Sequence, residues 1–477
     1  MEQIHVPQLD AERFESVLDP DRYRRFAEVM HRSAEAMRGR TIWNVNSTAQ
    51  GGGVAEMLRP LLGYAAGAGI DARWLVVDVP DDFFVVTKRI HNRLHGQRGD
   101  GGPLEDAERR VYEEAIARNT REMTSLLAPE DVVVLHDPQT AGLTGPIKDS
   151  GTAVIWRCHV GTDHPNEVTR SAWDFLRPYV ELADACVFSR EAYRWEGLDP
   201  NRAVVIPPSI DAFSPKNQDL DERAVAAVLR AAGLLPGEPD GEPRFLRPDG
   251  SAGTVLRTAS LLPEEPLPAS APLVLQVSRW DRLKDPVGVL RGFAHVPDAL
   301  GAHLVLAGPR AASVEDDPEG GEVLREVEEA WRALPKDARN RTHLATLPMD
   351  DEEENAAIVN ALQRRADVVV QKSLAEGFGL TVAEAMWKER CTVASRVGGI
   401  QDQIVHGESG WLLDDPTDLP AFGKLIGTVL QDREAAAVVG KRARERVRDE
   451  FLAPRHLVQV AGLIGSVAGS GPRSGRR

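Results

Sequence analysis

From about Thr41 onward, short and nearly continuous apolar runs alternate with stretches of helical periodicity, and they do so in two separate series. A strand that is apolar on both faces is covered on both, and a parallel strand needs a crossover, usually a helix, to reach its neighbour. The first series predicts strands at 41–45, 73–77, 131–135, 153–157, 185–188 and 203–206. The second predicts them at 273–277, 303–307, 367–370 and 392–394. Each series reads as one doubly wound α/β unit. A chain of 477 residues also exceeds one ordinary core. The boundary is expected after Pro207-Pro208, giving a first domain of residues 1–210 and a second of 211–451. Residues 235–271, rich in Gly, Pro, Glu and Ser, are expected to be a flexible insert. Such a composition buries too little surface to offset its ordering entropy. A disordered tail is expected at 469–477.

Charge narrows the partners. Lys and Arg total 57 against 73 Asp and Glu, a formal net charge of −16, which argues against nucleic acid while allowing a local basic patch for phosphates. No apolar run approaches a membrane span, and the opening MEQIHVPQLD lacks a basic-then-apolar signal pattern. Cys158, Cys186 and Cys391 read as reduced thiols, so the expected compartment is the cytoplasm.

Three segments carry chemistry. The turn Asn46-Ser47-Thr48-Ala49-Gln50-Gly51-Gly52-Gly53 leads from a strand into a helix with apolar residues at Val54, Met57, Leu58, Leu61, Leu62 and Ala65. Glycines at a helix start admit a phosphate close to the backbone, but they equally suit a tight turn with no ligand. Ser278-Arg279-Trp280-Asp281-Arg282-Leu283-Lys284-Asp285 follows the strand LVLQV. At that carboxyl end Arg279 offers a planar fork and Lys284 a point charge for phosphates. The alternative there is a solvated run with internal Asp–Arg pairs. Glu376-Gly377-Phe378-Gly379-Leu380-Thr381-Val382-Ala383-Glu384 follows DVVVQ. Thr381 with Glu384, or Ser373 with Glu376, fits a helix capping box. A carboxylate in a cleft-facing turn also suits sugar hydroxyls, and the amides of Gly377, Phe378, Gly379 and Leu380 suit a diphosphate. Cys158-His159 with Asp163 and His164 allows a metal site or a thiol nucleophile, without a second cluster of matching spacing. Gly398-Gly399-Ile400-Gln401-Asp402 reads as a ligand-facing loop or a helix start.

Taken together, these segments resemble glycosyltransferase family four, the retaining GT-B enzymes. The seven-residue gap between Glu376 and Glu384, the Arg279…Lys284 pair and the upstream glycines occur in that family's order. The stretches NVNSTAQGGGVAEML, DARWLVVDVPDDFFVVTKRIHNRLHG, HDPQTAGL, IWRCHVGTDHPN, VVIPPSIDAFSPKN and EGFGLTVAEAMWKE look like the trehalose glycosyltransferring synthases within it. The likeness covers about residues 20–215 and 272–460.

The resemblance implies an α/β GT-B fold: two Rossmann-like domains with the active site in the cleft between them. It also implies that a helix at about 452–468 returns to complete the first domain. The implied reaction moves glucose from a nucleoside-diphosphate sugar to glucose, forming trehalose with retention. It needs no cofactor or metal, no nucleic acid and no membrane, and a homodimer fits. The implied catalytic groups are Glu376, His159, Arg279 and Lys284. Donor contacts fall to Gly52, Gly53, Arg279, Lys284, Glu376, Gly377, Phe378, Gly379, Leu380, Thr381 and Glu384. Acceptor contacts are expected from first-domain strand-end loops, at Asn46, Asp82, Lys88, His136, Gln139, Arg157 and His159. Phe83, Phe84 and Trp156 are the aromatic candidates there. The donor loop SRWDRLKDP lacks the Gly expected after its Lys, and CHVGTDHPNEV departs from the usual run after the His. Another small polar acceptor and a trehalose phosphorylase-like reaction therefore stand as alternatives.

Overall fold

The computed structural model describes residues 1–49, 52–310 and 319–469, in two compact units. One comprises Met1–Ser209 with the chain from Ala453 onward, the other Ile210–Leu452.

The first unit is built on β1 (Glu2–Ile4), β2 (Ile42–Asn46), β3 (Ala72–Val76), β4 (Val132–His136), β5 (Ala153–Cys158), β6 (Ala185–Phe188) and β7 (Ala203–Val205). Their order is β1-β3-β2-β4-β5-β6-β7, and all pairs are parallel except the antiparallel edge β1–β3. The runs VVVLH and IWNVN are buried along their whole length because helices cover both faces. One face packs Trp43, Tyr112, Trp156, Phe175 and Phe188 into a single cluster. On the other lie the helices Pro20–Ala36, Gly53–Gly67 and Ala453–Gly469, the last packed on the first two. The terminal helix thus belongs to the first unit, as its apolar positions require; Leu457 and Ile464 are buried there.

In the second unit β11 (Leu273–Val277), β12 (His303–Pro309), β13 (Thr342–Leu347), β14 (Val368–Gln371), β15 (Cys391–Ser395) and β16 (Trp411–Leu413) are parallel, in the order β13-β12-β11-β14-β15-β16. β10 (Ser260–Leu262) closes the edge antiparallel to β13, and β8 (Arg244–Leu246) pairs with β9 (Ala252–Thr254) in a hairpin. Five short or polar strands, β1, β8, β9, β10 and β16, and the Thr-rich β13 have no counterpart among the predicted runs. Edge strands need no continuous apolar stretch, so hydropathy does not reveal them.

Residues 235–271 are not a loose insert. Phe245, Val255 and Leu267 are buried in the core of the second unit, and β10 extends its sheet. Buried Glu354 binds the segment at one point, accepting from the amides of Leu256 and Arg257 at 2.6 Å each and from the Arg257 guanidinium. A few well-placed apolar side chains and one buried carboxylate outweigh the Gly and Pro content. Gln50, Gly51 and the expected tail from 470 on lie outside the described residues. Among the described residues no helix is long and apolar enough to cross a membrane.

Candidate active site

In both units the strand order reverses beside the first central strand, between β2 and β4 and between β11 and β14. Open α/β sheets bind ligands outside the carboxyl ends of such a pair, where successive loops diverge. Arg279, Lys284 and the segment from Glu376 to Glu384 follow β11 and β14, and Asn46, Gly52, His136 and Gln139 lie at or just after the ends of β2 and β4.

In the second unit Trp280 anchors the loop after β11. It is buried, donates from Nε1 to Pro309 O at 2.8 Å, and lies where Gly308 leaves no side chain to meet it. Arg279 beside it stays exposed. Arg282 is half-exposed and pairs with the acidic residues Glu322 and Glu326 of a later helix, not with an Asp of its own run. Lys284 turns the other way, and its ammonium lies 2.5 Å from Glu376 Oε2 in the loop after β14. Both are largely sheltered, with side-chain exposures of 19% and 11%. Ser373 Oγ also donates to Glu376 Oε2, at 3.2 Å. Further bonds tie the two loops together. Leu374 N donates to Leu283 O at 2.7 Å, and fully buried Lys372 bridges the Asp285 carboxylate and Pro416 O. Lys372, an ammonium fully buried just past the end of β14, is a site residue that motif reading missed.

Neither capping box forms. The helix Leu380–Trp387 is capped by Gly379 at φ +84°, with no side-chain cap, so its first amides are left to other partners. Gly379 is needed there, because a Cβ would lie 3.0 Å from Ile400 and 3.3 Å from Glu376 Cγ. The loop Gly398–Gly399 packs behind this turn: Gly399 N donates to Gly377 O at 3.0 Å and Gln403 Nε2 to Phe378 O at 2.5 Å. Phe378 is buried, while Leu380 and Thr381 are half-exposed at the helix start. Glu384 is buried one turn on, with the ammonium of Lys216 3.7 Å from its carboxylate. Lys388 links its backbone carbonyl to Asn217 Oδ1.

In the first unit Gly52 caps the helix Gly53–Gly67 without a side-chain bond, and a Cβ on Gly52 would meet nothing within 4 Å. That helix start lies at the end of β2. Across the switch point, His159 Nε2 lies 3.1 Å from His136 Nδ1, and His136 Nε2 lies 3.1 Å from Asn44 Oδ1. The amide oxygen of Asn44 can only accept, so His136 carries its proton on Nε2. Its Nδ1 then accepts from His159 Nε2–H, which leaves His159 Nδ1 as an acceptor. Both rings stay neutral. Burial, and then the charge of Arg157, push His136 down to about 3 and His159 well below its usual value. Asp137, at φ +61°, accepts from His159 N at 2.7 Å, and burial pushes its carboxyl up to about 7. A non-glycine residue in that conformation is held by its surroundings.

The remaining acceptor candidates scatter. Asn46 is buried and spends its amide on Trp74 Nε1–H and Thr48 O. Arg157 points under the terminal helix, bonding His456 Nε2 and Ile206 O. Gln139 is half-buried, with its Oε1 unpartnered among the described residues. Asp82 and Lys88 are exposed on the helix Asp81–Leu94. Phe83 and Trp156 are core, and of the three aromatics Phe84 alone is exposed. The alternatives at Cys158 dissolve: burial raises the thiol well above its usual value, and Asp163 pairs with Arg190.

The description "Glycosyl transferases group 1" matches residues 260–446, and "Trehalose synthase, N-terminal domain" matches residues 44–195. Fold and site together define a GT-B glycosyltransferase. The trehalose synthase of Pyrococcus horikoshii is 34% identical over 441 residues, 91% of this chain and 92% of that protein. That of Rubrobacter xylanophilus is 35% identical over 440 residues, 91% and 92% of the two chains. The chain belongs to the trehalose synthase family. Among solved structures, sucrose-phosphate synthase from Thermosynechococcus elongatus shares the fold, with a TM-score of 0.62 at 19% identity over 89% of this chain and 98% of that one.

Proposed function

We propose that this glycosyltransferase moves glucose from a nucleoside-diphosphate glucose to free glucose, giving α,α-linked trehalose with retention and without a metal. The observation that carries the reading is the Lys284–Glu376 contact at the switch point of the second unit. A sheltered cation and carboxylate there match the two halves of such a donor, a diphosphate and a hydroxyl-bearing sugar. In this reading Lys284 and Arg279 bind the diphosphate, with the amides that begin the helix Leu380–Trp387. Glu376 accepts from hydroxyls of the transferred glucose, and Glu384 from the ribose.

The bond from C1 to the diphosphate oxygen breaks as the acceptor oxygen bonds to C1 on the same face. The acceptor's hydroxyl proton passes to the departing diphosphate. The protein therefore positions the reactants and stabilises growing negative charge. His159, its tautomer set through His136 by Asn44, presents Nδ1 to a sugar hydroxyl beside the reacting carbon.

The test is to incubate purified protein with each glucose nucleotide, with and without glucose, and to examine the products by NMR. A glucose-dependent α,α-linked disaccharide is expected. Donor turnover only with an unrelated acceptor would overturn the proposal.

A further inference from the structure

The first unit contains a cavity of about 500 Å³ beneath the terminal helix. That is within the size range of small-molecule sites, roughly 300–1,000 Å³. Its walls are apolar: Met30 from the first helix, Leu58 and Leu61 from the second, and Ile464 from the last. Its polar floor is supplied by Asn44, His136, Arg157 and His456. At the other end Gly462 and Gly465 line it, and a Cβ on either would meet nothing within 4 Å.

The floor is unbalanced in charge. Arg157 is 4% exposed, and its two bonded partners, His456 Nε2 at 2.6 Å and Ile206 O at 3.2 Å, are both uncharged. An arginine only donates, so His456 Nε2 accepts and its Nδ1–H donates to Ser209 Oγ at 2.8 Å. His456 is thereby fixed as a neutral ring and cannot serve as a counter-ion. Arg157 Nε is buried with no hydrogen-bond partner among the described residues. A buried guanidinium with an idle donor is costly unless an anion meets it.

We infer that this cavity binds a single-chain carboxylate, its acyl chain along the apolar walls and its carboxylate on Arg157. The site is separate in chemistry from sugar transfer. It nevertheless touches the transfer site, because His136 on its floor bonds His159.

Calorimetric titration of the full-length protein with decanoate, and with decanol as a neutral control, tests the inference. Decanoate is expected to bind saturably at one site, at least about tenfold tighter than decanol, a difference of about 1.4 kcal/mol. Ala461→Phe, which fills the cavity, should abolish binding, and Arg157→Gln should erase the preference for acid over alcohol. Carboxyl-labelled decanoate gives a check on the native protein: its bound carboxyl signal should titrate at lower pH than that of the free acid. No saturable binding, equal binding of acid and alcohol, or an unshifted titration would overturn the inference.

Discussion

Lys284 in the loop after β11 and Glu376 in the loop after β14 meet at 2.5 Å, although 92 positions separate them in the chain. Each loop follows a central strand of the second sheet, and the strands are neighbours because the strand order reverses between them. The pair is therefore a product of topology.

If the pair holds the donor, Lys284→Ala and Glu376→Gln should each lower kcat/KM by roughly 10²–10³. The double variant should lose much less than the product of the two, since the residues act on one another. Initial rates with the nucleotide sugar measure this, with circular dichroism to confirm the fold. Additive losses would mean that the two residues act separately.

Gly379→Ala should damage the same site through the backbone. The residue sits at φ +84°, and its new methyl would press on Ile400 and Glu376. About 1–2 kcal/mol of stability should be lost, with a fall in kcat larger than any change in thermal midpoint explains. An unchanged kcat would show that the turn tolerates displacement of Glu376.

Asp137 makes stability depend on pH. Burial raises its carboxyl from 3.8 in the ordinary state to about 7. Between those values the folded protein holds a proton that the unfolded chain has released, so this group's contribution to stability falls as pH rises. The rings of His136, His159 and His456 act in the opposite sense. Burial holds them below 6.5, so unfolded chains take up protons that the folded state refuses, and stability falls as pH drops below that value. Asp137→Asn keeps an acceptor for His159 N and removes the first effect alone. Its stability advantage over the native chain should grow by roughly 2 kcal/mol between pH 5 and pH 7. Urea unfolding at the two pH values measures it, and a constant difference would sink the idea.

Deleting residues 237–268 should abolish soluble folding. The deletion removes Phe245, Val255 and Leu267 from the core and takes away three donors from buried Glu354. Truncating one large core side chain already costs several kcal/mol. A soluble deletion protein with an unchanged thermal midpoint would show that the segment contributes nothing to the second unit.

The central strands, the Gly-rich turn before Gly53–Gly67 and the loops carrying Arg279, Lys284 and Glu376 were legible in the chain as written. Their signals are local: a buried parallel strand must be apolar along its length, and a turn into a helix favours glycine where the backbone is left-handed, as at Gly379, or where the helix starts with no side-chain cap, as at Gly52. Edge strands β1 and β10 were not legible, since half their surroundings are solvent. Nor was the packing of 235–271, which turns on a few apolar side chains, Phe245, Val255 and Leu267 among them, in a stretch rich in Gly, Pro and charge. Composition averages such residues away.

The roles of single polar residues divide along the same line. The sequence by itself determined which side chains stand at strand ends, because strand period and loop position follow from neighbours a few residues apart. Only the tertiary structure decided that Asn44 sets the proton on His136 and through it orients His159, and that Arg157 turns away to meet His456, 299 positions along the chain. Hydrogen-bond partners and burial are properties of what surrounds a group in space, and a residue's electrostatic character cannot be known until the fold has chosen that company.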